Sequence, residues 1–399
     1  MLKSGQAQAP RAIASLCAAA CVLALGSCAS EPRIPYTQRE QLKAAVPGIP
    51  GARIWADDPS IGRSSAPPPP PSRLRVSEPV ILALSGGGAD GAFGAGLLTG
   101  WTATGTRPQF TIVTGASAGA LMAPFAFVGP SQDQTLINFF AANEMANLLQ
   151  PEGLPGLLSA GFFKTAPLRE LIARHVDAEL LQAIAREHRT GRGLYVVTTN
   201  LDAQRTAIWD MGKIAASGDP HALDLFRDIL TASASIPGIF APVLIDVEAE
   251  GRRFAEMHVD AAVITNVLVV PEWMLSSGAS LFPPDARPKV YIILNRKLAP
   301  DFEVVDASTI PIVRRSIETA TRANTRTTLL ASYQFARARR WEFHLAAIDP
   351  TYPKSPTLGF DADYMQGLFE YGYQRGKRSD PWQQTPGKTQ RLPQVAAGE

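Results

Sequence analysis

The chain has 399 residues with 38 basic and 36 acidic side chains, so its formal net charge is only +2. A charge balance this close to zero argues against nucleic acid as a partner and against broad electrostatic attraction to a membrane. The three cysteines, Cys17, Cys21 and Cys28, all lie in the first 28 residues, which excludes disulfides and cysteine-based metal sites from the rest of the chain. The five histidines lack the paired spacing of metal motifs. We therefore predict neither a metal nor a cofactor.

The N-terminus has the layout of a secretion signal. Two basic residues precede an apolar stretch over residues 12–25, and Gly26-Ser27-Cys28 follows. A charged start, an apolar middle and small residues before a cleavage site are typical of a signal peptide. The segment resembles a bacterial lipoprotein signal peptide. That resemblance implies a signal over residues 1–27, lipidation of Cys28 and a lipid anchor in the cell envelope, at the outer membrane or the periplasmic face. Secretion after Ala29 or retention as an uncleaved anchor are the alternatives.

Residues 28–77 are rich in proline, glycine and alanine and include five successive prolines at 67–71. Such a run favours an extended polyproline helix of about 3 Å per residue. We predict that this segment is a tether that holds a folded domain, residues 78–345, away from a membrane. Residues 346–399 are expected to form a C-terminal extension that is partly disordered.

A glycine-rich loop follows the apolar run at residues 80–84. The loop covers residues 85–91 and precedes a helix, so its backbone N–H groups would attract an anion. That anion could be a nucleotide phosphate or the oxyanion of an acyl-transfer intermediate. The loop fits G-x-G-x-x-G, but the dinucleotide motif also needs an acidic residue that closes the next strand. Here that strand ends in Thr114-Gly115 and runs into a serine, which favours the oxyanion.

This serine, Ser117, lies between Gly115 and Gly119, at the point where an apolar run over residues 110–114 gives way to a helix-compatible stretch. A serine on a sharp strand-to-helix turn has a strained backbone, and only small neighbours two residues away permit so tight a turn. The spacing therefore predicts a nucleophile elbow that presents the hydroxyl to a substrate.

The later part of the chain predicts an α/β fold with a mostly parallel central sheet flanked by helices. Further apolar runs at residues 193–198 and 290–294 indicate buried strands, and residues 167–186 and 307–340 have a helical pattern. An apolar segment between Phe139 and Phe163 is broken by prolines and glycines. It is expected to be either a lid over the site or packed core.

An aspartate, Asp260, ends a strand-like run that starts at Phe254, with Asn266 behind it. With this block the chain resembles the patatin-like phospholipase family, over residues 79 to 270. The resemblance is carried, in the family's order, by the glycine-rich loop, the Ser117 elbow, residues 232–242 and the Asp260 block.

The resemblance implies a three-layer patatin-like fold and a phospholipid or other lipid ester as the substrate. It implies that Ser117 is the nucleophile and Asp260 its only partner in a two-residue dyad. It also implies roles for six glycines. These are the oxyanion donors Gly86, Gly87 and Gly88, and the motif-supporting Gly91, Gly115 and Gly119.

The chain departs from the family pattern in two places. Alanines 261 and 262 follow Asp260 where the family usually has glycine, and a positive φ there would cost an alanine about 1 to 2 kcal/mol. Asp90 stands in the glycine loop where the family usually has Lys or Arg. Since an acid is stabilised in the first turn of a helix, we expect Asp90 to be a surface residue at a helix start.

Two other functions fit parts of the pattern. An α/β-hydrolase also uses G-x-S-x-G, but with a histidine base after the serine, for which His258 and His344 are the candidates. A catalytically silent, lipid-binding envelope protein could keep the fold, as Asp90 and the two alanines hint.

The lipid-anchor hypothesis can be tested by replacing Cys28. If Cys28 is acylated, Cys28→Ala removes the only sulfur that can carry the lipid after cleavage. We expect the variant to lose metabolic labelling by a fatty-acid probe and to accumulate as unprocessed precursor. Unchanged labelling would rule out the lipoprotein hypothesis.

Overall fold

A computed structural model of the protein describes residues 33–58, 78–141, 144–145, 148–149, 163–354 and 359–387. The predicted signal peptide, Cys28, the proline run and residues 150–162 of the predicted lid lie outside these ranges. In the part of the chain that is described, no helix combines the length and the apolar character needed to cross a membrane.

One sheet of nine strands forms the centre of the described structure. In chain order the strands are β1 (Arg53–Trp55), β2 (Val80–Leu84), β3 (Ile112–Ala116), β4 (Gly193–Asn200), β5 (Arg205–Asp210), β6 (Val243–Ala249), β7 (Arg252–Val259), β8 (Lys289–Leu294) and β9 (Glu342–Ala347). The main order across the sheet is β1-β5-β4-β3-β2-β8-β9, and the β6–β7 hairpin joins through β7 to β4. The five strands from β4 to β9 along this order are parallel, whereas β1, β5, β6 and β7 pair antiparallel.

The central strand β2 shows why this sequence forms a parallel sheet. Leu82 and Leu84 pack into a core cluster on one face, and Ile81 and Ala83 pack into a second cluster on the other face. Successive strand residues point to opposite faces, so an unbroken apolar run has apolar contacts on both sides. The predicted α/β class, with a mostly parallel sheet flanked by helices, is confirmed.

Helices cover both faces of the sheet. They are α1 (Gln38–Lys43), α2 (Gly91–Ala103), α3 (Ala118–Val128), α4 (Asp133–Ala141), α5 (Ala166–His175), α6 (Ala178–Arg189), α7 (Met211–Ala216), α8 (Ala222–Ser233), α9 (Glu272–Ser277), α10 (Thr309–Ala338) and α11 (Ala362–Gly376). The core cluster of Leu82 includes side chains of α2, α3 and α8, whereas that of Ile81 includes side chains of α9 and α10. The helical pattern at 167–186 proves to be two helices, because Asp177 caps α6 by accepting a hydrogen bond from the Leu180 N–H at 2.9 Å.

Part of the predicted tether packs on the domain. Strand β1 pairs antiparallel with β5, and Val46, Ile49 and Trp55 are buried against the same core. Arg53 forms a buried ion pair with Glu256 of β7. The structure thus differs from the prediction over residues 33–58, because short apolar groups within a proline- and glycine-rich segment complete the edge of the sheet.

The C-terminal extension also contributes to the fold. Helix α11 lies against α2, and glycines on both helices allow close contact between their backbones. A Cβ on Gly96 would overlap the Phe369 carbonyl oxygen, and a Cβ on Gly372 would overlap the Phe93 carbonyl oxygen. Residues 362–376 therefore pack as part of the folded domain, beyond the boundary predicted at residue 345.

The glycine contact predicts a difference between two substitutions in α11. Gly372→Ala places a methyl group against the α2 backbone, and overpacking of this kind costs about 1–3 kcal/mol. Gly367→Ala is the matched control, since its Cβ meets only the Tyr352 hydroxyl at 3.4 Å and Gly to Ala in a helix stabilises by about 0.5–1 kcal/mol. Urea denaturation should show a lower free energy of unfolding for the first variant and a slightly higher one for the second. Equal effects would contradict the close helix contact.

Candidate active site

Ser117 lies at the junction of β3 and α3, in a backbone conformation that serine rarely adopts. Its φ is 52° and its ψ is −122°. A conformation of this type costs on the order of 1–3 kcal/mol and persists only where the surroundings enforce it. The residue directly precedes the first turn of α3, where the positive end of the helix dipole favours a developing negative charge.

Two glycines make this turn possible, as the spacing predicted. A Cβ on Gly115 would lie 2.6 Å from the Gly119 carbonyl oxygen, and a Cβ on Gly119 would lie 2.7 Å from the Ser85 carbonyl oxygen. Because neither residue has a side chain, α3 starts directly against the end of β2. Ser117 is thereby placed next to the glycine-rich loop that follows β2.

Asp260 is the hydrogen-bond partner of the serine. Ser117 Oγ donates to Asp260 Oδ2 at 2.7 Å, and the Ala262 N–H donates to Asp260 Oδ1 at 2.7 Å. The Asp260 N–H donates to the Ser235 carbonyl oxygen at 2.9 Å, which fixes the backbone behind the carboxylate. Only 1% of Asp260 is exposed. Burial raises the pKa of Asp260 to about 6, although the hydrogen bonds from Ala262 and Ser117 and the charge of Arg296 each lower it.

The two alanines that follow Asp260 fit this geometry. Ala261 and Ala262 start a short 3-10 turn, and neither has a positive φ. The substitution of alanine for the family's usual glycine therefore carries no backbone strain here. The Ala262 N–H instead helps to hold the carboxylate.

The glycine-rich loop is tied to the end of β8 by Asn295. The Asn295 N–H donates to Ser85 Oγ, and the Asn295 amide Nδ2 donates to the Ser85 carbonyl oxygen, both at 2.8 Å. A Cβ on Gly87 would overlap the Asn295 carbonyl oxygen, and Gly88 has a φ of +58°. Both positions thus require glycine, one for space and the other for conformation.

The three predicted oxyanion donors do not have the same environment. The Gly86 N–H already donates to the Asn266 carbonyl oxygen at 2.9 Å, so the structure contradicts its prediction as a free donor. A Cβ on Gly86 would lie 2.7 Å from Asn266 Oδ1 and 2.9 Å from Ser117 Cβ, so this glycine provides close approach instead. The N–H groups of Gly87 and Gly88 have no acceptor among the described residues. Gly91 lets α2 approach α3, because its Cβ would lie 3.0 Å from Ala118 Cβ.

Asp90 is not the surface residue that the sequence predicted. It is half-buried, and its Oδ1 accepts a hydrogen bond from the Tyr364 hydroxyl of α11 at 2.8 Å. Burial raises the pKa of Asp90 to about 6, and the hydrogen bond from Tyr364 and the charges of Arg296 and Lys297 lower it. The prediction missed this because the partner is 274 residues away in the chain.

The two histidines that a catalytic triad would need are engaged elsewhere. His258 is fully buried, with Nδ1 at 2.9 Å from Thr198 Oγ1 and Nε2 at 3.3 Å from Glu256 Oε2. The His344 ring stacks on Tyr291 with centroids 4.4 Å apart. Among the residues that the structure describes, no histidine forms a hydrogen bond with Ser117.

The described part of the predicted lid belongs to the core. Phe139, Phe140, Met145 and Leu148 are all buried and belong to the main core cluster. These residues are therefore packed core, which is one of the two predicted alternatives, and not part of a lid.

Sequence reasoning missed several groups that complete the site. Ser233 at the end of α8 accepts a hydrogen bond from the Ser117 N–H at 3.0 Å and donates to the Val197 carbonyl oxygen at 2.7 Å. It lies in the block 232–242 that carried the resemblance, so a signal was present. Asn295 and Arg296 are polar residues directly after the apolar β8 run, a position where parallel strands often end in functional side chains. The described residues contain no group of three or more side chains suited to a metal ion.

These observations define an α/β protein with a nucleophile elbow at the carboxyl edge of its sheet. Residues 82–273 match the family model of the patatin-like phospholipases, so this part of the chain is a patatin-like phospholipase domain. Among solved structures, VipD from Legionella pneumophila is 14% identical in sequence to this chain. The alignment covers 76% of this chain and 67% of the VipD chain, with a TM-score of 0.37. A comparison with curated proteins finds no match. This family match supports lipid acyl hydrolase activity on a lipid ester.

The raised pKa of Asp260 predicts the pH dependence of ester hydrolysis. The base must be ionised, so kcat/KM for a neutral, water-soluble ester should rise with pH through about 6 and level off above about 7. At pH 5 it should be about one tenth of its plateau. Asp90→Asn is the control, because Asp90 titrates in the same range and should not move the inflection. A flat profile between pH 4.5 and 8 would contradict Asp260 as the base.

Proposed function

We propose that the protein is a serine acyl hydrolase, a phospholipase or lipid esterase, that uses a Ser117–Asp260 dyad and an oxyanion hole in the glycine-rich loop. The observation that carries the proposal is the 2.7 Å hydrogen bond from Ser117 Oγ to a buried carboxylate whose pKa is raised to about 6. An ordinary aspartate, with a pKa near 4, is a poor base for a hydroxyl. Burial makes Asp260 a better one.

The reaction follows from these positions. Ser117 Oγ attacks the ester carbonyl carbon while its proton passes to Asp260, which then gives the proton to the departing alcohol. Water then attacks the carbonyl carbon of the acyl-serine while Asp260 takes its proton. Asp260 passes this proton to the departing Ser117 Oγ, which releases the fatty acid and restores the serine. The complete cycle thus begins and ends with a free Ser117 hydroxyl and an ionised Asp260.

The oxyanion of each tetrahedral intermediate needs donors that are already in place. The N–H groups of Gly87 and Gly88 are free for this task, and the first turn of α3 adds its dipole. One preorganised donor is worth about 3 to 4 kcal/mol of transition-state stabilisation. Asn295 holds this loop against β8, so the donors need not reorganise during the reaction.

Two features favour an active enzyme over a catalytically silent relative. Ser117 keeps a strained φ of 52° and Asp260 keeps a desolvated carboxylate. Both reduce the stability of the folded chain, and both are what a nucleophile and its base require. We also propose, from the N-terminal sequence alone, that a lipid on Cys28 anchors the domain in the cell envelope near its substrate.

The dyad and the triad make opposite predictions for four variants. Ser117→Ala and Asp260→Asn should each lower kcat for ester hydrolysis by about 10³-fold or more, since they remove the nucleophile and the base. His258→Gln and His344→Gln should retain most of the activity per folded molecule. Initial rates on a short-chain ester provide the measurement.

The Asp260→Asn variant tests the negative charge of Asp260 separately from its size. Its amide can still accept from the Ala262 N–H and contact Ser117 Oγ, so the variant should fold like the parent. Circular dichroism and the thermal midpoint check this. An active Asp260→Asn variant together with an inactive histidine variant would replace the dyad by a histidine-based triad.

A further inference from the structure

Arg296 lies beside the site, directly after the strand that supports the glycine-rich loop. Strand β8 ends at Leu294, Asn295 binds Ser85 and packs against Gly87, and Arg296 comes next. The side chain is half-buried. It is close enough to both Asp90 and Asp260 for its positive charge to lower the pKa of each.

The guanidinium of Arg296 has no bonding partner in the described structure. Its Nε is buried without a hydrogen bond, and none of the described carboxylates lies within 4.0 Å of it. The charged groups near enough to act on it are Asp90, Asp260, Glu318 and Arg322, and none of these three carboxylates forms an ion pair with it.

Neighbouring cations differ from Arg296 in this respect. Lys297 Nζ lies 3.6 Å from Asp301 Oδ1, and Arg322 lies 3.5 Å from the same carboxylate. Arg322 also donates a hydrogen bond to the Ala299 carbonyl oxygen. These two cations are thus paired within the fold, whereas Arg296 has no such partner among the described residues.

A partly buried cation without a paired anion is unfavourable, and an anionic group of a bound ligand would stabilise it. Arginine matches the oxygens of a phosphate with two parallel N–H donors. We propose that Arg296 is the subsite for the phosphate of a phospholipid substrate, an inference that rests on the proposed hydrolase function. The oxyanion has its own donors in Gly87 and Gly88, which leaves the guanidinium for a second negative group of the same molecule.

Two substrates distinguish binding of a phosphate by Arg296 from a general effect of Arg296 on ester hydrolysis. Dioleoylphosphatidylcholine and dioleoylglycerol carry the same acyl esters, and only the first carries a phosphate. We would measure kcat/KM for both in mixed micelles of a neutral detergent at equal mole fraction. The readout is the ratio of the two values, phospholipid over diacylglycerol, for the full chain and its variants.

Arg296→Gln should lower this ratio at least tenfold, mainly through KM for the phospholipid. Arg296→Lys keeps the charge but loses the paired donors, so it should lower the ratio by a smaller factor. Lys297→Gln removes a cation one residue away that Asp301 already pairs, and it should leave the ratio within twofold. Labelling of Ser117 by an uncharged fluorophosphonate confirms that each variant is folded.

Three results would overturn the subsite. An unchanged ratio in Arg296→Gln, with both substrates hydrolysed by the parent, would leave the hydrolase in place and remove the phosphate role. An equal fall of kcat on both substrates, with a shifted pH profile, would show that Arg296 acts through Asp260 instead. A parent protein without activity on either lipid would contradict the proposed function itself and the subsite with it.

Discussion

The hydrogen bond between Ser117 Oγ and Asp260 Oδ2 joins two points of the chain that are 143 residues apart. It can form only where the end of β3 and the end of β7 meet the same edge of the sheet, because both strands pair with β4. The short 3-10 turn after β7 and the strained turn after β3 then aim the two side chains at each other. Sheet register therefore determines the distance on which the proposed chemistry depends.

The folded chain is less stable because of this arrangement. An aspartate in the unfolded chain has a pKa of 3.8, whereas burial raises that of Asp260 to about 6. The folded state therefore holds the proton more tightly, and its stability falls as pH rises through this range. Above pH 6 the difference amounts to about 3 kcal/mol, to which the φ of Ser117 adds on the order of 1–3 kcal/mol. Extensive apolar burial on both faces of the sheet offsets such costs.

Much of the fold and the reacting pair could be predicted from local sequence. The apolar run at 80–84 became β2 without a change of boundary, and the glycine spacing predicted the Ser117 elbow. The predictions that proved wrong concern contacts between residues far apart in the sequence. Whether the Gly86 N–H is free depends on the Asn266 carbonyl, and the burial of Asp90 depends on Tyr364. The edge strand β1 has three residues within a proline- and glycine-rich segment, too short for a periodic pattern.

The structure of a covalent adduct tests the arrangement most directly. Reaction with a fluorophosphonate would place a phosphonyl group on the nucleophile, with one oxygen in the position of the oxyanion. We expect a crystal structure in which phosphorus is bonded to Ser117 Oγ and this oxygen lies about 2.7–3.1 Å from the backbone nitrogens of Gly87 and Gly88. An adduct on another residue, or an oxygen that contacts neither glycine, would contradict it.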